Sequence, residues 1–152
     1  MKQWQYMRTK FLSLFLISSG LLLAFTGSVK IISACGSSKF LNVFDPVFHI
    51  SFRHLFLLAG TIELIIAAAC FFGAGNVFKV ALLAWLATVF LGYRLTLAWL
   101  GYHKPCSCLG NLTDALHIPP QAADSAMKCV LAYMLIGSFG ALFWFWRQKR
   151  NP

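Results

Sequence analysis

Apolar and polar residues fall in long blocks along this chain, without the strict alternation that marks a strand. Four blocks are predominantly apolar and run Phe11 to Ile32, Leu55 to Phe72, Val77 to Leu100 and Met127 to Trp146. Each is close to the ~20 residues that a helix needs to cross a bilayer. A backbone in lipid must satisfy its own hydrogen bonds, which allows helices and closed barrels, and the alternation of a barrel is absent. The pattern predicts an all-α membrane protein, one domain over residues 1–152 built as a four-transmembrane-helix bundle.

Composition agrees with a membrane protein. Of the 152 residues, 59% are hydrophobic and 11% are charged, against about 25% charged in soluble domains. The net charge of +9 would suit a nucleic-acid ligand if the cations formed one patch. The spans divide them instead, so we expect the lipid bilayer as the main partner and no nucleic acid.

The distribution of basic residues predicts the orientation. Those before span one, in the short second loop and after span four have no acidic residue among them: Lys2, Arg8, Lys10, Lys79, Arg147, Lys149 and Arg150. The two longer loops carry fewer, diluted by acids: Lys39, Arg53, Lys104 and Lys128 with Asp45, Asp114 and Asp124. Cytoplasmic loops are rich in Lys and Arg, so both termini are predicted to be cytoplasmic and the two longer loops to face outward.

The first span has a second interpretation. Ile32-Ser33-Ala34-Cys35 resembles a lipoprotein cleavage box, and cleavage would leave a lipidated Cys35 and three spans. Against this, the apolar run is longer than the roughly 7 to 15 residues of a signal-peptide core, and Lys30 interrupts it. We predict an uncleaved span and keep the lipidated form as the alternative.

A pair of cysteines separated by one residue, Cys106 and Cys108, lies in the second outer loop. Cys35 ends span one on the same side, and Cys129 opens span four near it, whereas Cys70 lies near the inner end of span two and is interpreted as a packing residue. An oxidising outer compartment permits disulfides. One hypothesis is an inert staple that links Cys35 to the pair and ties the two outer loops together.

The other hypothesis is thiol–disulfide exchange. A bridge between Cys106 and Cys108 closes a very small ring, which departs from relaxed disulfide geometry and makes the bond easier to reduce. His103 and Lys104 favour the thiolate that exchange requires. We therefore predict Cys106 and Cys108 as catalytic residues with Cys35 as the candidate relay.

The same loop also contains side chains that can ligate a metal. His103, Cys106, Cys108 and His117 supply two nitrogens and two sulfurs. Zinc sites usually separate paired ligands by about two to four residues, and a single intervening residue strains a shared tetrahedral centre. We predict no metal here.

Three ionisable residues, Lys30, Glu63 and Arg94, lie inside or at the edge of the spans. Charge at that depth is expensive and is normally paired. Glu63 lies ~12 Å and Arg94 ~9 Å below the outer ends of their spans, so we expect the guanidinium to reach the carboxylate. Lys30 either extends to the interface or completes an intramembrane charged cluster. The cluster is either a structural ion pair or a binding site for a polar headgroup, a quinone or a proton.

The order of these residues resembles the MauE branch of the DoxX-like membrane proteins. Gly27-Ser28-Val29-Lys30 ends span one, Glu63 lies in span two, Arg94 in span three, and Cys106-Ser107-Cys108-Leu109-Gly110 precedes span four. That family has four spans, a Gly-x-x-Lys motif, an acid in the second span and a Cys-x-Cys-Phe-Gly motif, in which Leu109 here replaces the Phe. The resemblance implies a redox-associated role in a bacterial inner membrane: MauE is linked to maturation of the disulfide-rich methylamine dehydrogenase, and DoxD relatives to thiosulfate:quinone oxidoreduction.

These observations predict a multi-pass inner-membrane protein that handles thiols or disulfides on its outer face. A periplasmic or membrane redox protein is the expected partner, and a membrane quinone is the candidate cofactor. The alternative is a non-catalytic membrane subunit or assembly factor with structural cysteines, so the sequence leaves open whether the protein is an enzyme. A small-solute transporter is disfavoured, because four short spans show no internal repeat.

Overall fold

Helices form nearly all of the described structure. The computed structural model describes residues 2–36, 39–73, 75–101 and 119–150. Within them the long helices are α1 (Lys2–Cys35), α2 (Phe52–Phe72), α3 (Asn76–Trp99) and α4 (Pro120–Arg150), and a short 3-10 helix spans Lys39–Asn42. All four long helices have the length and apolarity to cross a membrane. For these described residues, the predictions of an all-helical fold and of four candidate spans are confirmed.

Two helices extend beyond their apolar blocks. α1 begins at Lys2, since no glycine or proline interrupts the polar residues that precede Phe11. α4 begins at Pro120, seven residues before the predicted start at Met127. Proline suits the first position of a helix because its missing N–H has no intrahelical acceptor there. The Pro119 carbonyl accepts the N–H groups of Ala122 and Ala123 to start the helix.

The first two helices pack against each other in antiparallel orientation through paired glycines. A Cβ atom built on Gly27 would lie 2.9 Å from the Gly60 carbonyl oxygen, and one built on Gly60 would lie 2.9 Å from the Gly27 carbonyl oxygen. Further along, Gly20 lies against Cys70 and Phe71. Close approach of two backbones through small residues is a common way for helices to associate in lipid. The same contact forces the two helices into one register.

The remaining helices complete a ring in which α3 packs on α4, α2 on α3 and α1 on α4. The α1–α4 contact places the Phe15 ring against Gly137 and 5.5 Å from the Tyr133 ring. The Ser18 and Tyr133 hydroxyls form a hydrogen bond of 2.7 Å beside it. The ring encloses an apolar core: Leu12, Phe15, Leu16, Leu23, Ile66, Ala67, Cys70, Val80, Leu83, Leu86, Ala87 and Met134.

One end of the bundle collects the end of α1, the start of α2, the end of α3 and the start of α4. We name it the Cys35 end. A second apolar cluster lies there, formed by Ala34, Leu41, Phe52 and Phe56. At the opposite end α2 stops at Phe72 and α3 starts at Asn76, and the Lys79 ammonium donates to the Cys70 carbonyl at 2.9 Å. α3 ends and α4 begins at the Cys35 end, and residues 102–118 between them lie outside the described structure.

Candidate functional site

A buried ion pair between Lys30 and Glu63 lies beside the contact between Gly27 and Gly60, which we name the glycine crossing. Lys30 follows Gly27 by three residues, and Glu63 follows Gly60 by three. The helices are antiparallel, so these two residues lie on opposite sides of the crossing. Side chains lean toward the N-terminus of their own helix, and both therefore lean back toward the crossing, where Lys30 Nζ meets Glu63 Oε1.

Both members of this pair are shielded from the surroundings. The side chain of Lys30 is 8% exposed and that of Glu63 is 1% exposed. Thr26 donates to the second carboxylate oxygen of Glu63 at 3.0 Å, and the Lys30 ammonium lies 5.1 Å from the centre of the Phe90 ring on α3. A buried charge pair is tolerable when its remaining polar atoms are satisfied. Lys30 therefore does not extend to the interface but serves as the counter-ion of Glu63.

Arg94 takes a different partner from the one expected. Its guanidinium pairs with Asp124 near the start of α4, and Lys128 contacts the other oxygen of Asp124 at 2.7 Å, one turn further on. The expected contact between Arg94 and Glu63 is wrong. The reason is helix pairing: the Gly27–Gly60 contact places Glu63 against α1, whereas Arg94, near the end of α3, faces α4. The single Lys30/Glu63/Arg94 cluster is replaced by two ion pairs on two helix pairs.

Asp45 is a further buried charge. By sequence it counted only among the acidic residues of the longer loops, and its burial was not predicted. It is fully buried. Its Oδ1 accepts the N–H groups of Val47 and Phe48, both at 2.9 Å, and its Oδ2 accepts the Tyr93 hydroxyl of α3. The Asp-Pro dipeptide at 45–46 signals such a turn, because Asp side chains accept from the backbone two residues on. Nothing in the spacing indicated Tyr93 as the third donor.

The thiols of Cys35, Cys70 and Cys129 are free. Cys35 is exposed at the last residue of α1, and Cys129 is exposed on α4. Cys70 is buried in the apolar core, in agreement with a packing role. Cys106 and Cys108, the predicted exchanging pair, lie outside the described residues, and so do His103 and His117. Among the described residues no three His, Cys, Asp or Glu side chains gather as metal ligands would.

Comparison of the chain with protein-family models, with curated proteins and with solved structures finds no match. The resemblance to the MauE branch thus rests on the residues quoted for it. For two of them the structure supplies a physical role, since Gly27 and Lys30 contact α2 side by side, one through its backbone and one through its charge.

Proposed function

We propose that this protein exchanges thiols and disulfides at the Cys35 end of the bundle. The observation that carries the proposal is the free, exposed thiol of Cys35, at the end of the bundle to which the segment holding Cys106 and Cys108 is connected on both sides. Exchange needs an accessible thiol within reach of a disulfide. The resemblance to a redox-associated membrane family supports the same class of function.

The proposed reaction begins with the Cys106–Cys108 disulfide and a partner dithiol. A partner thiolate attacks one sulfur, the other leaves as a thiolate, and a mixed disulfide forms. The partner's second thiolate then releases an oxidised partner, and two thiols remain on the pair. When the pair is oxidised, the Cys35 thiolate would attack one of its sulfurs in the same way. A disulfide then forms between Cys35 and that cysteine, the other cysteine of the pair leaves as a thiolate, and the number of electrons on the protein does not change. Re-forming the disulfide from the two thiols requires an acceptor of two electrons and two protons, and a membrane quinone would supply that chemistry.

The Lys30–Glu63 pair contributes by holding α1 in place. Cys35 follows Lys30 by five residues, about 7.5 Å along the same helix. Because the ion pair and the glycine crossing set the register of α1 against α2, they also set the height of the Cys35 thiol. In this proposal the buried charges are positioning residues and the cysteines do the chemistry.

The orientation forms part of the proposal. The basic residues support cytoplasmic termini in a bacterial inner membrane, with the Cys35 end facing the oxidising side. Labelling of a single-cysteine variant that retains only Cys106, with a membrane-impermeant maleimide on intact cells, tests it. Reaction before permeabilisation is expected. Reaction only after permeabilisation, with reductant present in both samples, would reverse the orientation and remove the oxidising compartment from the proposal.

Trapping the mixed disulfide tests the chemistry. Membranes that carry Cys106→Ser or Cys108→Ser are quenched with acid, alkylated and separated with and without reductant. The remaining sulfur is expected to be held in a reductant-sensitive adduct with a partner or with Cys35. Cys129→Ser is the matched control, because it removes another exposed thiol and should leave the parent pattern unchanged. Absence of an adduct in both variants, with a permanently oxidised pair in the parent, would contradict exchange.

A second candidate, a non-catalytic membrane subunit or assembly factor, is favoured by the completeness of the Lys30–Glu63 site. The two charges pair with each other, and Thr26 donates to the second carboxylate oxygen of Glu63. These contacts hold α1 against α2 and need no ligand, as is expected of a structural ion pair. A permanently oxidised pair would support this candidate in place of the first.

A further inference from the structure

The loop between α1 and α2 exposes large apolar side chains over residues 43–50. Val43 is 49% exposed, Phe44 70%, Phe48 56% and Ile50 36%. Isolated exposed apolar residues are common on proteins, but a cluster of four in one short loop marks an interaction surface.

The loop holds these side chains outward in a fixed conformation. Phe52 N–H donates to the Val43 carbonyl at 3.1 Å, and Asp45 N–H donates to the Ile50 carbonyl at 2.8 Å. His49, with φ 55°, closes the turn by donating its N–H to the Asp45 carbonyl at 2.9 Å. Backbone groups that bond within the loop need no water, which is the condition for non-helical backbone at membrane depth.

The depth of the loop follows from its contact with α3. Tyr93 precedes Trp99, the last residue of α3, by six residues, about 9 Å along the helix axis. The Phe48 ring stacks on the Tyr93 ring with centroids 5.9 Å apart and planes inclined by 12°, and Asp45 accepts the Tyr93 hydroxyl. The loop therefore contacts the last turns of a candidate span through Asp45 and Phe48.

We propose that residues 43–50 form an interfacial anchor whose occupant is the lipid bilayer, with Phe44 and Phe48 in the headgroup and upper acyl region at the Cys35 end. The patch contacts the last turns of the span, so lipid is the medium that reaches it. Trp99, 88% exposed at the end of α3, is of the type that forms membrane-interface belts. Asp45 is compatible with this depth because three donors surround its carboxylate. The proposal is independent of the thiol chemistry.

Depth-dependent quenching tests the anchor in the full chain reconstituted in phospholipid nanodiscs. The background carries Ser at positions 35, 106, 108 and 129, and Phe44→Cys is labelled with bimane. Ile65→Cys, 63% exposed on α2, is the lipid-facing control, and Gln148→Cys, exposed near the end of α4, is the water-facing control. Brominated acyl chains and aqueous iodide are the two quenchers.

For Phe44→Cys we expect quenching by brominated lipid comparable to that of the Ile65 control and iodide quenching several-fold weaker than at position 148. If Phe44→Cys does not accumulate, Val43→Cys reports on the same surface. Strong iodide quenching with no lipid quenching would overturn the proposal and make the patch a water-facing surface for another protein. Protection from both quenchers would also overturn it, because protein and not lipid would then cover the patch.

Discussion

Removing one partner of the Lys30–Glu63 pair is expected to destabilise the bundle more than removing both. Glu63→Gln leaves an ammonium in a site where the Lys30 side chain is 8% exposed, and Lys30→Met leaves a carboxylate in one that is 1% exposed. An unpaired charge in such a site costs about 3–5 kcal/mol. That corresponds to a loss of at least roughly a hundredfold in the folding equilibrium, at 1.4 kcal/mol per factor of ten.

The double variant Lys30→Met with Glu63→Gln removes both charges and keeps similar side-chain volumes. Replacing a buried pair by neutral residues of similar size is often neutral or stabilising, so its stability should return to within about 1 kcal/mol of the parent. Lys128→Met is the matched control, because its side chain is 66% exposed and such surface pairs contribute at most about 1 kcal/mol.

Reversible unfolding in mixed micelles, with SDS fraction as the denaturant and helical circular dichroism as the readout, measures the free energies of unfolding of the parent, the two single variants, the double variant and the control. Strict additivity of the two single substitutions would refute the reasoning, since residues that do not interact show no coupling. Normal stability of both single variants would also refute it, because the charges would then reach solvent in the folded protein.

The remaining predictions use the same unfolding measurement or amide exchange. Gly27→Ala should lower the free energy of unfolding by about 1–3 kcal/mol, because its Cβ would lie 2.9 Å from a backbone oxygen of α2. Gly92→Ala is the control: Gly92 has open space around it, so the substitution should raise the free energy of unfolding by up to about 1 kcal/mol. Equal effects of the two substitutions would exclude close packing at Gly27. Ser19→Ala should be neutral or stabilising, because the buried Ser19 hydroxyl lacks a partner in the described structure. Ser138→Ala is the control and should stabilise the protein less, because the Ser138 hydroxyl donates to a backbone carbonyl at 2.6 Å. Tyr93→Phe should lose about 1–3 kcal/mol by leaving one Asp45 oxygen without its donor, and faster hydrogen exchange across residues 43–52 should accompany the loss.

Sequence alone determined the four-helix class, for a reason specific to lipid. A hydrocarbon medium supplies no hydrogen-bond partner, so an apolar block of sufficient length must be helical whatever its neighbours are. The same pattern did not predict where α1 and α4 begin. α1 and α4 continue into polar segments, because helix formation stops at backbone breakers and not at the edge of the bilayer.

Sequence also located Lys30, Glu63 and Arg94 as ionisable residues inside or at the edge of the spans, where charge is rare and costly. It assigned the wrong partner to Arg94. Depth along a helix can be counted from the chain, but rotation about the helix axis depends on which neighbour packs against it. The Gly27–Gly60 contact fixes that rotation for α1 and α2, and Glu63 therefore pairs with Lys30.

Only the tertiary structure decided the position of the first loop. The turn at Asp45 was readable as an Asp-Pro signal, but the third donor comes from Tyr93, 48 residues away. Such a contact depends on how far α3 rises beside the loop, which is a property of the assembled bundle. Local sequence specifies turns and helices through short-range sterics and solvent. The choice of partner for a buried charge is made by long-range packing, because a charge binds whichever donor the fold brings within a few ångströms.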